Sequence, residues 1–309
     1  MGKQNCRIVY GKTLVELGGS NERIVVLEAD LGKSTMTTFF QEAFPERYFE
    51  MGIAEQNMVS TAAGLAISGK IPFVNSFAVF STGRVYDQIR QSICIGKVNV
   101  KIVGSSCGLS DFSDGATHQG IEDIALMRIL PDMTVLAPAD GIETRKIIEA
   151  AADYQGPVYI RLNRNEIPDV TAADEIFRIG LPSVVRQGND ITVFANGYMV
   201  SVALEAASIL EKEGISLRVV NVSSLKPVDE EAIKGLSAGM KGVVTIEEHT
   251  IIGGLASLVT FILRGWNIPV ECIAINDRFG QSALDYLSLL DHYGLNSGAV
   301  VNKVREILR

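Results

Sequence analysis

The sequence predicts an α/β protein of two doubly wound domains, each built on a mostly parallel sheet. Two observations carry the prediction. Short β-branched runs alternate with helix-period stretches almost from end to end, and strands this apolar, separated by helices, need cover on both faces. The rhythm breaks once, after Arg164, and then resumes. With 309 residues the chain is long enough for two such units.

Taken in order, the first strand is expected in RIVVLEAD (23–30) and the next in YFEMGI (48–53). IPFVNSF (71–77), VNVKIVGSS (98–106), MTVLAPA (133–139) and PVYIRLNR (157–164) follow. AEQNMVSTAAGLAI, GRVYDQIRQSICIG and DGIETRKIIEAAADY supply helices between them. The segment NEIPDVTAADEIFRIGLPSVVRQGND holds two prolines, several charges and no long helical period, and reads as a linker or small excursion. Strand patterns return in ITVFANG, LRVVNVSSLKP, GVVTIEEH and PVECIAIND. The expected organisation is a domain over 1–170, a linker over 171–185 and a second domain over 186–309.

Composition narrows the class. The chain is 47% hydrophobic and 21% charged with net charge −8, and its lysines and arginines are scattered. A nucleic-acid groove or an anionic membrane surface needs a concentrated positive field, so neither is expected as a partner. Cys6, Cys94, Cys107 and Cys272 form no CxxC pair and read as reduced thiols. The N-terminus lacks an apolar core like that of a signal peptide, and Cys6 stands where myristoylation requires Ser or Thr. No apolar run approaches the roughly 18 residues that span a bilayer. The expectation is a soluble cytoplasmic protein.

Open parallel sheets bind ligands beyond the carboxyl ends of their strands, so the polar loops after the strands hold the candidates. Glu55 follows one predicted strand and opens a predicted helix. The helix terminus favours its charge by about 0.3–1 kcal/mol, whereas burial can raise a carboxyl pKa by up to about 3–5 units. Glu55 is therefore either a solvated acid at a helix start or, in a dry site, a proton carrier. Phe77 and Phe80 are either core residues or a flat apolar platform for a heteroaromatic ring. His118, in SDFSDGATHQGIED with Asp114 four residues before it, suits acid–base work or merely faces water. His249 reads as structural and His292 as a surface helix residue. Arg161 and Arg164 end a strand, where one could grip a phosphate or simply pair with an acid. Asp30 and Ser34 form a further polar rim in EADLGKST.

The order of these pieces is more specific than any one of them. The run MGIAEQNM … FVNSFAVFSTGRVYDQIR … SDGATHQGIEDIALMR … PDMTVLAPAD … YIRLNRNE closely resembles the pyrimidine-binding domain of transketolases and their thiamine-diphosphate relatives. The stretch from ITVFANGYMVSVALEAASILEKEGISLRVVNVSSLKPVDEEAI to VVTIEEHTIIGGLAS is similar to the family's C-terminal domain. The resemblance implies those two folds in succession. It also implies transfer of a two-carbon ketol unit from a ketose phosphate to an aldose acceptor. Glu55 would then hydrogen-bond the N1′ nitrogen of the cofactor's aminopyrimidine and drive the tautomer that ionises the thiazolium. Phe80 would stack on the pyrimidine with Phe77 nearby, and Asp30 and Leu31 would line the cofactor cleft. His118 would assist proton transfer at the donor sugar, Asp114 would read a substrate hydroxyl, and Arg164 and Ser34 would bind the sugar phosphate.

Two departures qualify the resemblance. Ser106 stands where many transketolases carry a second histidine, which brings 1-deoxyxylulose-5-phosphate synthases into consideration. No Gly-Asp-Gly stretch of the kind that binds the diphosphate metal occurs. The resemblance thus implies the C-terminal subunit of a split transketolase. A separate N-terminal subunit would hold the diphosphate end of thiamine diphosphate and Mg2+ or another divalent metal, in an α2β2 heterotetramer. The rival readings are a β subunit of a 2-oxo-acid dehydrogenase, for which a phosphate-gripping Arg164 would be pointless, and a non-catalytic regulatory or assembly partner.

Overall fold

A computed structural model describes residues 2–309. The chain enters through β1 (Lys3–Asn5) and α1 (Cys6–Ser20), which starts where the Asn5 side chain accepts a hydrogen bond from the Arg7 amide at 3.1 Å. The sequence reading assigns no element here, and α1 contains the β-branched Ile8 and Val9 and three glycines. Packing requires two of those glycines. A Cβ on Gly11 would sit 2.4 Å from the Met36 carbonyl oxygen, and one on Gly18 would sit 2.5 Å from the Phe40 ring.

β2 (Ile24–Glu28), α2 (Gly32–Thr35), α3 (Thr38–Ala43) and β3 (Tyr48–Glu50) follow. Next come α4 (Glu55–Ile67) and β4 (Ile71–Phe77). Where one helix was expected over 83–96, the chain forms π-helical turns at Phe80–Arg84 and Ile89–Cys94 around the short α5 (Tyr86–Gln88). β5 (Lys101–Ser105), α6 (Asp123–Arg128), β6 (Thr134–Leu136), α7 (Gly141–Asp153) and β7 (Val158–Arg161) complete the first alternation. Lys101 is fully buried, and its ammonium donates to the Tyr154 and Gly156 carbonyls at 2.7 and 2.9 Å, closing the C-terminal end of α7.

The predicted linker region is partly ordered into strands. β8 (Glu166–Pro168) pairs antiparallel with β1, and β9 (Ser183–Arg186) pairs antiparallel with β11 (Leu217–Asn221), which follows β10 (Ile191–Ala195) and α8 (Met199–Glu211). Runs of three and four residues at an edge are too short to leave a period in the sequence. β12 (Ser224–Lys226), α9 (Glu230–Ser237), β13 (Gly242–Thr250), α10 (Leu255–Ile262), β14 (Val270–Ile275), α11 (Tyr286–His292) and α12 (Ser297–Leu308) end the chain.

The first sheet has the order β12-β6-β7-β5-β4-β2-β3 and is parallel except for β12; the second has the order β14-β13-β10-β11-β9 and is parallel except for β9. Side-chain alternation along β2 shows the double winding. Val25 and Leu27 pack with Met58 and Val59 of α4, whereas Ile24 and Val26 pack with Tyr10 and Leu14 of α1 and Ile147 of α7. The core that includes α4 also takes in Val220, Leu225, Ile233 and Leu255 from the second half. No helix among the described residues is long and apolar enough to cross a membrane.

Candidate active site

β2, β3, β4, β5 and β7 deliver their loops to one edge of the first sheet. Glu55 is the first residue of α4. Its carboxylate is 3% exposed and accepts a hydrogen bond from Arg84 Nη1 at 2.6 Å, while Arg84 itself remains 44% exposed. The sequence reading left Glu55 as either a solvated acid or a proton carrier in a dry site, and named no cation as its partner. The structure adds one from the π-helical turn after β4, a geometry frequent at functional sites.

The same turn starts with Phe80, whose ring centroid lies 4.3 Å from the Arg84 guanidinium. Phe77 ends β4 and is buried. The two rings lie within 15° of parallel at 6.2 Å, and the His118 imidazole meets Phe77 at 6.2 Å and Phe80 at 5.4 Å, edge to face. The His118 Nδ1 atom lies 2.9 Å from the Thr117 hydroxyl. Phe77 also carries the Arg164 guanidinium at 5.9 Å. The acid, two aromatic rings, imidazole and two guanidinium groups thus form one contiguous wall. Beside it, Ile53, Ala54, Glu55, Gln56, Asn57 and Arg84 line a hollow of about 390 Å³. Larger hollows of about 600 and 520 Å³ lie beside α1 and against residues 171–184, and contain none of the candidate residues.

Arg164 pairs with Asp111 at 2.5 Å, not chiefly with Asp114, which lies 4.0 Å away and is half-exposed. Sequence reasoning missed Asp111, because GLSDFSDG offers two acids three residues apart and only the folded loop separates them. Burial raises the Asp111 carboxyl while Arg164 opposes the rise. One of its oxygens is buried without a partner.

Arg7, also missed, donates to the Ser34 carbonyl at 2.7 Å. Burial first, and then the neighbouring Arg164 charge, push the Arg7 guanidinium down to about 10. Asp30 has a positive φ of 60°, and its amide donates to Glu50 at 2.9 Å. The Leu31 carbonyl accepts from the Ser34 and Thr35 amides at 2.7 and 2.9 Å. No hydrogen bond among the described residues joins Asp30 or Ser34 to the Glu55 wall. Beneath their loop, buried Glu28 accepts from Thr35 and Thr37 at 2.6 and 2.7 Å, and burial pushes it up to about 7.

The remaining residues behave structurally. His249 is fully buried, with Nδ1 2.7 Å from the Thr250 carbonyl and Nε2 accepting from the Ala125 amide at 3.3 Å. Arg161 is buried against Asp123 at 2.8 Å, so it does not open on the cleft. Ser106 is buried with φ 53° and a hydroxyl that has no partner. All four cysteines are free.

Fold and site define a chain of two α/β units whose first sheet carries a cleft of buried acid and aromatic rings at its carboxyl edge. The chain belongs to the transketolase family, a thiamine-diphosphate-dependent group. The transketolase pyrimidine-binding domain matches residues 2–170 and the transketolase C-terminal domain matches residues 182–300. A solved split gene transketolase, described as an inactive beta4 tetramer, is 48% identical with a TM-score of 0.90 and 99% of each chain covered. A Methanocaldococcus jannaschii protein named "Putative transketolase C-terminal section" is 43% identical over 304 residues, 97% of this chain and 95% of that one. Homo sapiens transketolase is 36% identical over 309 residues, but those residues are 49% of its length.

Proposed function

We propose that this chain is the C-terminal subunit of a two-chain transketolase, moving a two-carbon ketol unit from a ketose phosphate to an aldose acceptor. The observation that carries the reading is the buried Glu55 carboxylate at the start of α4, set in one wall with Phe80 and His118. That chemistry fits an aminopyrimidine. A carboxylate out of water can hold a proton at a ring nitrogen, and a half-buried phenyl face can lie against a flat ring. Thiamine diphosphate, when bound, supplies carbanion stabilisation. Glu55 holds the proton, Phe77 and Phe80 fix the ring's plane, and Asp30 and Leu31 border it. Partly exposed Arg84 pairs with the acid from its solvent side. His118 moves a proton at the sugar hydroxyl, Asp114 orients a hydroxyl, and Arg164 with Arg7 and the Ser34 segment grips the phosphate.

The diphosphate end belongs to another chain in this reading. No group of three or more His, Cys, Asp or Glu among the described residues could hold a metal ion. The match also covers 95% of a section-length relative but about half of a single-chain one. The partner subunit contributes the metal and the diphosphate site, in an α2β2 assembly. The test is reconstitution with a co-purified diphosphate-binding chain, thiamine diphosphate and Mg2+, followed by ketol transfer from a panel of ketose phosphates. Transfer that requires both chains is expected. Carbon dioxide release from pyruvate in its place would assign a synthase instead, and no turnover at all would favour an assembly role.

A further inference from the structure

Glu248 lies near the end of β13 in the second sheet, 3% exposed, and its carboxylate oxygens reach the first half, one directly and the other through Tyr286. Oε1 accepts from the Leu109 amide at 2.6 Å, two residues before Asp111. Oε2 accepts from the Tyr286 hydroxyl at 2.6 Å, and that hydroxyl accepts from Asn163 Nδ2 at 2.8 Å. Asn163 Oδ1 in turn accepts from the Asn165 amide at 2.8 Å, so the second limb ends on the two residues flanking Arg164. A cross-link closes the ring: Asn165 Nδ2 donates to the Ser110 carbonyl at 3.0 Å and the Arg164 amide to the Ser110 hydroxyl at 3.3 Å. The carboxylate is seated hard against the loop, since a Cβ on Gly108 would lie 2.6 Å from it.

We propose that Glu248 is a positioning residue for ketol transfer, spacing the Asp111 loop and Arg164 so that the guanidinium meets the donor's phosphate. One side chain sets the backbone on both sides of the Arg164–Asp111 pair, and a binding group held this way loses less freedom when its ligand arrives. The inference rests on Arg164 being the phosphate grip. It gives the second half of the chain a direct part in choosing the donor.

The test uses the reconstituted two-chain complex and two ketol donors, a ketose phosphate and unphosphorylated hydroxypyruvate. Glu248→Ala should raise the KM for the ketose phosphate about tenfold or more and leave its kcat within about twofold, the signature of lost binding common to ground and transition states. The KM for hydroxypyruvate should not move. Glu248→Gln still accepts from Leu109 and can donate to Tyr286, so it should bring the phosphate donor's KM back to within about threefold of wild type. Tyr286→Phe cuts only the Asn163 limb and should give an intermediate rise.

Parallel loss of kcat on both donors in Glu248→Ala, or a Glu248→Gln variant no better than Glu248→Ala, would reduce Glu248 to a core residue and overturn the proposal. If Glu248→Ala is insoluble, Tyr286→Phe decides, and an unchanged KM there overturns it. A wild-type complex that transfers ketol from neither donor would instead remove the functional reading beneath it.

Discussion

Replacing Glu55 by Gln separates the acid's chemistry from its place in the fold. Gln keeps the shape and can still accept from Arg84 Nη1, now 2.6 Å away, but it cannot carry a proton. The structural cost is bounded by the ion pair it weakens. With Arg84 44% exposed, solvent screens the pair, and such pairs contribute roughly 0–1 kcal/mol. The thermal midpoint of a chain this size should therefore move by no more than about 4 °C. The chemical cost is of another order, because a positioned acid–base group contributes about 10²–10⁴ in rate, or ~3–5 kcal/mol of barrier. The assay is deuterium exchange at the thiazolium C2 position, followed by NMR in the reconstituted complex, with ketol transfer measured at saturating donor. Exchange and turnover should fall together by at least about a hundredfold, with co-elution of the two chains unchanged. Exchange within about threefold of wild type would refute the reasoning.

His118→Asn should lower kcat by about a hundredfold with normal assembly, and stopped-flow turnover would show it; an unaffected kcat would demote the imidazole to packing against Phe77 and Phe80. Glu28 binds its proton more tightly in the folded chain (about 7) than at its ordinary 4.5, so its contribution is complete below about pH 4.5 and is lost as pH rises through 7. That rise corresponds to ~3 kcal/mol, and the stability of Glu28→Gln relative to wild type should improve by about that much between pH 5 and 8 in urea titrations. Gly11→Ala should destabilise by about 1–3 kcal/mol, read as a lower denaturation midpoint, because its methyl would press on the Met36 carbonyl oxygen at 2.4 Å.

Legibility in the sequence followed the range of the forces involved. β2 and β4 were plain because every residue in each is buried and most are β-branched or aromatic. Glu55 could be set at a helix start because the strand before it and the helix after it are both local patterns. α1 was missed because its glycines answer to α3 and the Met36 carbonyl, which are distant in the chain. β8 and β9 have three and four residues, and exist only through partners elsewhere. In the cleft, residue types were readable but pairings were not. Arg84 reaches Glu55 across 29 positions and Arg164 reaches Asp111 across 53, and nothing local in the chain distinguishes Asp111 from Asp114 as the partner of Arg164.

β12 makes the two halves neighbours in one hydrogen-bonded ladder, with Ser224 opposite Leu136 and Lys226 opposite Val135. A fragment ending near residue 186 would leave β6 with a bare row of amides and carbonyls, a template onto which another copy could dock. Such a fragment should form fibres or insoluble multimers when expressed, because the strand that seals this border arrives only at Ser224–Lys226.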